Sequence, residues 1–357
     1  MDPKAKLGAR AGARALSLAL TLACAFAAAV ALLAAFSSSF WDALALFFLG
    51  PFKNAYYFGN MLNAAIPLVL CGLGVGIAFS SRNFNLGGEG QVYIGAIATA
   101  ATCLAFPEGG PIVPFAGAAA GALAGAALGA LSGLLKRSLG VDELISSFLA
   151  SAAFIFLGDF LITGPLQDPG SNFQTTVAIP AAYRLAKIYP PSSLSAGCAI
   201  ALAAVVLCWF LASRTKFGYE LRLCGLNPEF ARYAGVDTGA YAVAPMAVSG
   251  ALHGLAGAAM ILGTYHKAMK GFSAGVGWSG IAVALIAGNA PLAMIPSALL
   301  FAYLEAGAKA VMVGADVTSE IVAIVQSVVF FLVTARALES PFRRARGVPA
   351  RAGGRPA

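Results

Sequence analysis

The chain has 357 residues, 59% of them hydrophobic and 11% charged, with a mean hydropathy of +0.82 and a formal net charge of +8. Soluble domains carry about 25% charged residues, so a water-soluble fold is excluded; at roughly 20 apolar residues per crossing the length holds about ten membrane spans. The basic residues are scattered between apolar runs, which argues against a nucleic-acid-binding face. Of the six cysteines only Cys224 lies outside an apolar run, so no disulfide framework is suggested.

Taken in chain order, Lys4, Lys6, Arg10 and Arg14 precede a first apolar run at 15–36. That run is longer than the about 7–15 residues of a secretory leader, so it is expected to remain as an anchor, with residues 1–14 cytoplasmic. Further runs follow at 60–80, 88–106, 112–135, 143–163, 192–213, 241–264, 278–288, 291–313 and 319–335. The expected fold is all-α, a polytopic membrane helix bundle of about nine or ten transmembrane helices. Its membrane domain covers 15–337, with an extracytoplasmic loop near 164–190, a cytoplasmic loop near 214–239, and a basic, disordered cytoplasmic tail over 338–357.

Threading ten crossings from a cytoplasmic N-terminus leaves only Lys53, Arg184, Lys187, Lys267, Lys270 and Lys309 on the outer side. The remaining basic residues fall inside, as the positive-inside rule expects. The short run at 278–288 is the weak point of that count. If it re-enters instead of crossing, the Arg-rich C-terminus faces the wrong side.

Gly117, Gly121, Gly125, Gly129 and Gly133 recur every fourth residue, a stripe along which helix backbones approach closely. Two other glycine-rich stretches open an apolar run: Asn83 to Gln91, and Gly271 to Trp278. They begin the third and eighth spans, whose directions are opposed, and suggest an inverted five-plus-five repeat with interrupted helices around a translocation path.

Charges inside spans usually face a cavity or a partner. Glu89 lies near a helix start, where capping and path lining suit it equally. Glu305 and Lys309 have the spacing of a mutually neutralising pair. Asp159 is expected to be solvated at the outer end of its span, and His253 to be a satisfied packing residue. Asn289, before Pro291, suits a turn; with Asn85 and Glu89 it makes the set of polar residues expected along a substrate path. Within the cytoplasmic loop, Asn227, Pro228 and Glu229 form a helix start, with Gly235 as its stop. A short capped helix between two spans has nothing of its own to pack on, so it is expected to dock into another protein.

No G-x-x-x-x-G-K-[ST] phosphate loop occurs, so ATP hydrolysis by that route is excluded, and neither H-E-x-x-H nor G-x-S-x-G is present. The chain is expected to be no enzyme, and to hold neither a cofactor nor a metal.

The runs Asn83–Ala96 (NFNLGGEGQVYIGA), Gly164–Phe173 (GPLQDPGSNF), Gly218–Gly235 (GYELRLCGLNPEFARYAG) and Gly280–Leu285 (GIAVAL), with Ser319–Val322, resemble the permeases of ABC importers in the branched-chain amino acid and ribose permease superfamily. The nearest branch is the nucleoside type, whose receptors are basic-membrane-protein-like lipoproteins. The resemblance covers about residues 60–335. It implies import by alternating access in a bacterial cytoplasmic membrane, driven by separate cytoplasmic ATPase subunits that alone use ATP. An extracytoplasmic substrate-binding lipoprotein and a second permease, identical or homologous, complete the complex. By the same resemblance Gly225, Asn227, Pro228, Ala231 and Gly235 belong to the helix that couples to the ATPases. The implied substrate is a purine-type nucleoside, with riboflavin or a pentose-like sugar as alternatives. An ion-coupled secondary transporter is the competing class.

Overall fold

A computed structural model of the chain describes residues 39–315 without a break, together with residues 23, 27, 28, 30, 31, 34, 318, 324, 327 and 328. The expected first and last spans lie almost wholly outside the described residues; residues 1–14 and the tail 338–357 lie entirely outside them. By its contacts the chain divides into two units, Met1–Gly50 with Gly307–Ala357, and Pro51–Ala306.

In the first unit a helix at Phe40–Leu49, α1, buries Ala43 and Phe47. Gly307 lies flush on it: a Cβ there would come within 2.3 Å of the Phe47 carbonyl. The sequence reading missed this helix because its ten residues, with Asp42 among them, are too few to register as a span.

The second unit holds α2 (Ala55–Ser80), α3 (Gly88–Ala105), α4 (Val113–Leu139), α5 (Glu143–Thr163), α6 (Gly197–Arg214), α7 (Lys216–Leu226), α8 (Pro228–Tyr233), α9 (Ala240–Met260), α10 (Val276–Ile286) and the first part of α11 (Met294–Gly314). Among the described residues, six helical stretches are long and apolar enough to cross a membrane: 55–80, 110–139, 143–163, 197–214, 240–265 and 291–314. The chain is a multi-pass membrane helix bundle. α3 is absent from that set because it opens on Gly88, Glu89, Gly90 and Gln91, and α10 because it has only 11 residues.

The core of the second unit is built on missing side chains. On α4, a Cβ at Gly125 would come within 2.2 Å of the Gly250 carbonyl, at Gly129 within 2.2 Å of the Met246 carbonyl, and at Gly121 within 2.6 Å of the Gly95 carbonyl. The facing helix reciprocates, since a Cβ at Gly250 would lie 2.1 Å from the Gly125 carbonyl and one at Gly254 2.1 Å from that of Gly121. The expected glycine stripe is therefore the seam along which α4 seats on α9 and α3 with backbone against backbone.

The loop near 164–190 is ordered by backbone pairing with the chain that follows α9. Thr176 and Ile179 donate to the carbonyls of Ala268 and His266, at 2.9 and 2.8 Å, and Lys270 donates to that of Gln174 at 3.1 Å. From there the chain descends without helix to Val276, and α10 then runs parallel to α2, with Gly280 against Cys71, Val283 against Gly72 and Asn289 against Gly76. Met294 also lies against Gly72 and Gly76, while Tyr303 reaches Phe52, just before α2, with ring centroids 5.7 Å apart. The stretch 266–289 thus passes from the α5 C-terminal end of the bundle to the Ser80 end, and α11 returns. The run at 278–288 is the helical half of a broken span.

Candidate functional site: the seat of the broken span

Non-helical backbone at membrane depth persists only where protein satisfies its polar groups, and Glu89 supplies most of that here. Its Oε1 accepts from the Ser273 hydroxyl at 2.6 Å and from the Gly275 amide at 2.9 Å; Oε2 accepts from the Gly277 amide at 2.8 Å. Glu89 is therefore an N-terminal cap, but for α10, which lies 186 residues further along the chain, instead of for its own helix. A carboxylate suits this place because the free amides at a helix start carry partial positive charge.

One helical turn further along α3, Tyr93 holds the upper part of the same segment. Its hydroxyl donates to Asp159 Oδ1 at 2.5 Å and accepts from the Gly271 amide at 3.0 Å, while its ring stacks on Phe272 with centroids 5.0 Å apart. Lys270 Nζ lies 4.0 Å from Asp159 Oδ2. Asp159, expected to be solvated, is instead partly buried in this relay, because α5 turns it toward α3. Glu89 and Tyr93 sit at i and i+4 on one face and strap residues 270–277 along α3. The two glycine-rich interruptions thus pack directly on each other. A Cβ at Gly277 would lie 2.4 Å from the Glu89 nitrogen.

Behind the strap, the start of α3 is bonded into α5 and α9. Gly90 and Leu86 donate to the hydroxyls of Ser151 and Ser147, at 2.8 and 3.0 Å. Asn85 donates to Gln91 at 2.9 Å and to Ser249 at 2.8 Å, and accepts from the Gly87 amide. His253 is fully buried, with a ring nitrogen 2.8 Å from the Ser249 carbonyl; its Nε2 has no partner among the described residues. It fills the space between Gly74 and Gly88, each of which would place a Cβ within 2.7 Å of the ring.

Asn85 and Glu89 both stand at the start of α3 but bond to different elements, α9 and the segment before α10, and Asn289 lies apart from both. Asn289 ends α10, with φ +60° and its amide bonded to the Ala284 carbonyl at 2.9 Å, as its turn-like sequence suggests. At 1.5 Å per residue it lies about 18 Å along the helix axis from Gly277. Sequence reasoning missed Tyr93, Ser273, Ser147 and Ser151. Tyr93 alone was signalled, by its four-residue spacing from Glu89.

A description of the permease component of branched-chain amino acid transport systems matches residues 57–334, which take in every element of the second unit from α2 onward. The chain belongs to this permease family. The permease is 34% identical over 299 residues to the probable riboflavin import permease protein RfuC of Treponema pallidum, covering 82% of this chain and 78% of that one. It is 33% identical to the guanosine ABC transporter permease protein NupP of Bacillus subtilis, covering 80% and 82%, and 28% identical to the nucleoside ABC transporter permease protein NupB of Lactococcus lactis, covering 85% and 86%. As an ABC importer permease it is a transport component, not a catalyst, and works with ATPase and substrate-binding partners.

The permease's second feature is the compact α7–α8 unit between α6 and α9. Asn227 Oδ1 accepts from the Phe230 amide at 3.0 Å, Pro228 takes the first helical position, and Gly235 closes the helix at φ +82°. Ala231 is buried with Cys224 and Val236. The expectation that α8 has nothing of its own to pack on is thus corrected: this small cluster seats one face of it. Burial and the neighbouring Glu220 push the Cys224 thiol pKa up. Gly225 allows the unit to abut α2, since a Cβ there would lie 2.1 Å from the Ser80 carbonyl. The other face is bare: Leu226, Phe230 and Tyr233 are 78%, 58% and 92% exposed.

Nearby, Lys136 Nζ bonds Asn83 Oδ1 and Glu143 Oε1, both at 2.8 Å, while Asn83 also donates to the Tyr241 carbonyl at 2.7 Å. The loop that leads into Glu89 is thereby tied to α4, α5 and α9 at the end of the bundle that carries α7 and α8.

Proposed function

We propose that the permease forms the membrane path for import of a purine-type nucleoside, moved by alternating access and powered by separate ATPase subunits. The observation that carries the coupling half of this reading is the capped α8 with its bare apolar face, carried on α7, which abuts the end of α2 through Gly225. Gly225, Asn227, Pro228, Ala231 and Gly235 build that protrusion, and Leu226, Phe230 and Tyr233 are its contact surface. An ion-coupled carrier has no use for such a knob.

The substrate half is supported by relatives named for guanosine and nucleosides; the riboflavin permease RfuC supports a second reading. Both solutes join a flat heteroaromatic ring to a polyhydroxylated chain. Asn85, Glu89 and Asn289 are the polar residues assigned to the path, with Glu89 holding the start of α10 and Asn289 lying just past its end. In this reading the protrusion and both chain termini face the cytoplasm, the 164–190 loop faces the receptor, and the permease itself holds no cofactor, ATP being used by its partners.

Asn227→Ala removes the cap and is expected to destabilise α8 by about 1 kcal/mol. Co-purification of the ATPase should fall several-fold, with the permease's own elution profile unchanged. Labelled guanosine and riboflavin offered to cells carrying the complete transporter test the substrate: uptake of guanosine, competed by other purine nucleosides, is the expected result. A Tyr233→Cys variant labelled by an impermeant maleimide in intact cells would place the protrusion outside and end the coupling proposal.

A further inference from the structure

The bare face of α6 carries a shallow, open apolar groove lined by Leu202, Ala203, Val206, Leu207, Trp209 and Phe210, with almost no polar surface in it. From Leu202 to Phe210 the groove runs eight residues, about 12 Å at 1.5 Å per residue, close to the depth of one leaflet's hydrocarbon at about half of 30 Å.

Its far end is basic. The Arg214 guanidinium stands over the Trp209 ring at 6.0 Å. Arg222, at the end of the second turn of α7, folds back and donates to the Ala212 carbonyl on α6, next to the end of that helix which carries Arg214. Lys216 opens α7 and its side chain is 86% exposed. The acidic group facing this corner is Glu220, 3.5 Å from Lys216 Nζ; its other oxygen accepts from the Tyr241 hydroxyl at 2.8 Å and turns the carboxylate inward, away from the groove. Arg214 thus caps the apolar trough, with Lys216 and Arg222 beside it at the α6–α7 junction and Glu220 as the acidic neighbour of Lys216. Arg222 and the last turn of α6 also satisfy each other, since cations complement a helix C-terminus, but that does not account for the exposure of Lys216 or the trough below it.

We propose that the α6–α7 elbow is a binding site for an anionic phospholipid, with one acyl chain along the groove and the headgroup phosphate between Arg214 and Lys216. Charge selects the occupant: a zwitterionic lipid brings no net charge to the corner, and a second protein helix would have to present a buried anion at one depth only. Because α7 leads directly into α8, a lipid held there also fixes the elbow on which the protrusion is carried. The site rests on α6 and α7 alone and does not depend on the solute transported.

Trp209 sits in the groove and reports on it. The full chain carrying Trp41→Phe and Trp278→Phe, reconstituted in nanodiscs, leaves Trp209 as the single indole, since the chain has three tryptophans. Dibrominated phosphatidylglycerol, at low mole fraction in phosphatidylcholine, is expected to quench it several-fold more than dibrominated phosphatidylcholine at the same fraction, consistent with a preference of about fivefold per interfacial cation. Arg214→Gln with Lys216→Gln should bring the ratio to near one. Equal quenching by both lipids in the parent protein means an unselective annulus and overturns the proposal. Absence of quenching by either means that protein covers the groove, and overturns it equally. Native mass spectrometry of the unmodified chain gives an independent reading if the tryptophan variants misfold: phosphatidylglycerol should survive delipidation on the parent chain and be lost from the Arg214→Gln, Lys216→Gln variant, and retention on both or neither counts against the site.

Discussion

Glu89→Ala is expected to abolish transport while leaving the chain inserted in the membrane. The substitution removes three hydrogen bonds to a buried carboxylate and leaves the Gly275 and Gly277 amides without a partner at membrane depth. Bonds to a charged group are worth about 1.5–3 kcal/mol each, and a buried orphan donor costs about 1–3 kcal/mol, so the seat of α10 should weaken by about 3 kcal/mol or more. That is on the order of a hundredfold in local opening, visible as faster amide exchange over residues 273–279 by hydrogen–deuterium mass spectrometry. Glu89→Gln should fall between: one oxygen can still serve Ser273 and Gly275, while the new amide group meets the Gly277 N–H donor to donor. Wild-type exchange and wild-type uptake in Glu89→Ala would show that the strap does not position α10.

A second large effect is expected along the glycine seam. Gly125→Leu should leave no folded permease, and even Gly125→Ala should lower the thermal midpoint of the detergent-purified chain by several degrees. Ordinary contact begins near 3.4 Å, and a Cβ at Gly125 would stand 2.2 Å from the Gly250 carbonyl. The obstacle is backbone, which cannot rotate away as a side chain can. Overpacking that a core can relax costs about 1–3 kcal/mol; here α4 and α9 must separate along their whole length. The control is Ala127, two residues away on the exposed side of α4, where leucine should be tolerated. An equal loss at both positions would show that α4 has no privileged face.

The seam was legible because a small residue at every fourth place has a single geometric meaning on a helix, and the structure placed each expected glycine against a partner backbone. The strap was half legible. The sequence marked both interruptions and singled out Glu89, but a helix dipole argument ties a carboxylate to its own helix start, whereas Ser273, Gly275 and Gly277 are reached only through the tertiary fold. Asp159 was misjudged for a related reason: hydropathy places it at a span's end, and only the packing of α5 on α3 turns it to Tyr93 and Lys270. In α8 the cap at Asn227 and the stop at Gly235 were readable from local rules, because capping is local. The burial of Ala231 was not, since it depends on α7 folding back to bring Cys224 beneath it.

The broken span has a consequence for how the protein is made. An 11-residue half-helix preceded by unwound chain cannot leave the ribosome's translocation channel for lipid unaided, because its bare amides would meet hydrocarbon. It has to wait until α3, which bears Glu89, already stands in the bilayer to receive it. Nascent chains halted far enough beyond Asn289 for α10 to have cleared the ribosome should therefore remain crosslinked to the channel when position 89 is alanine, and be released when it is glutamate.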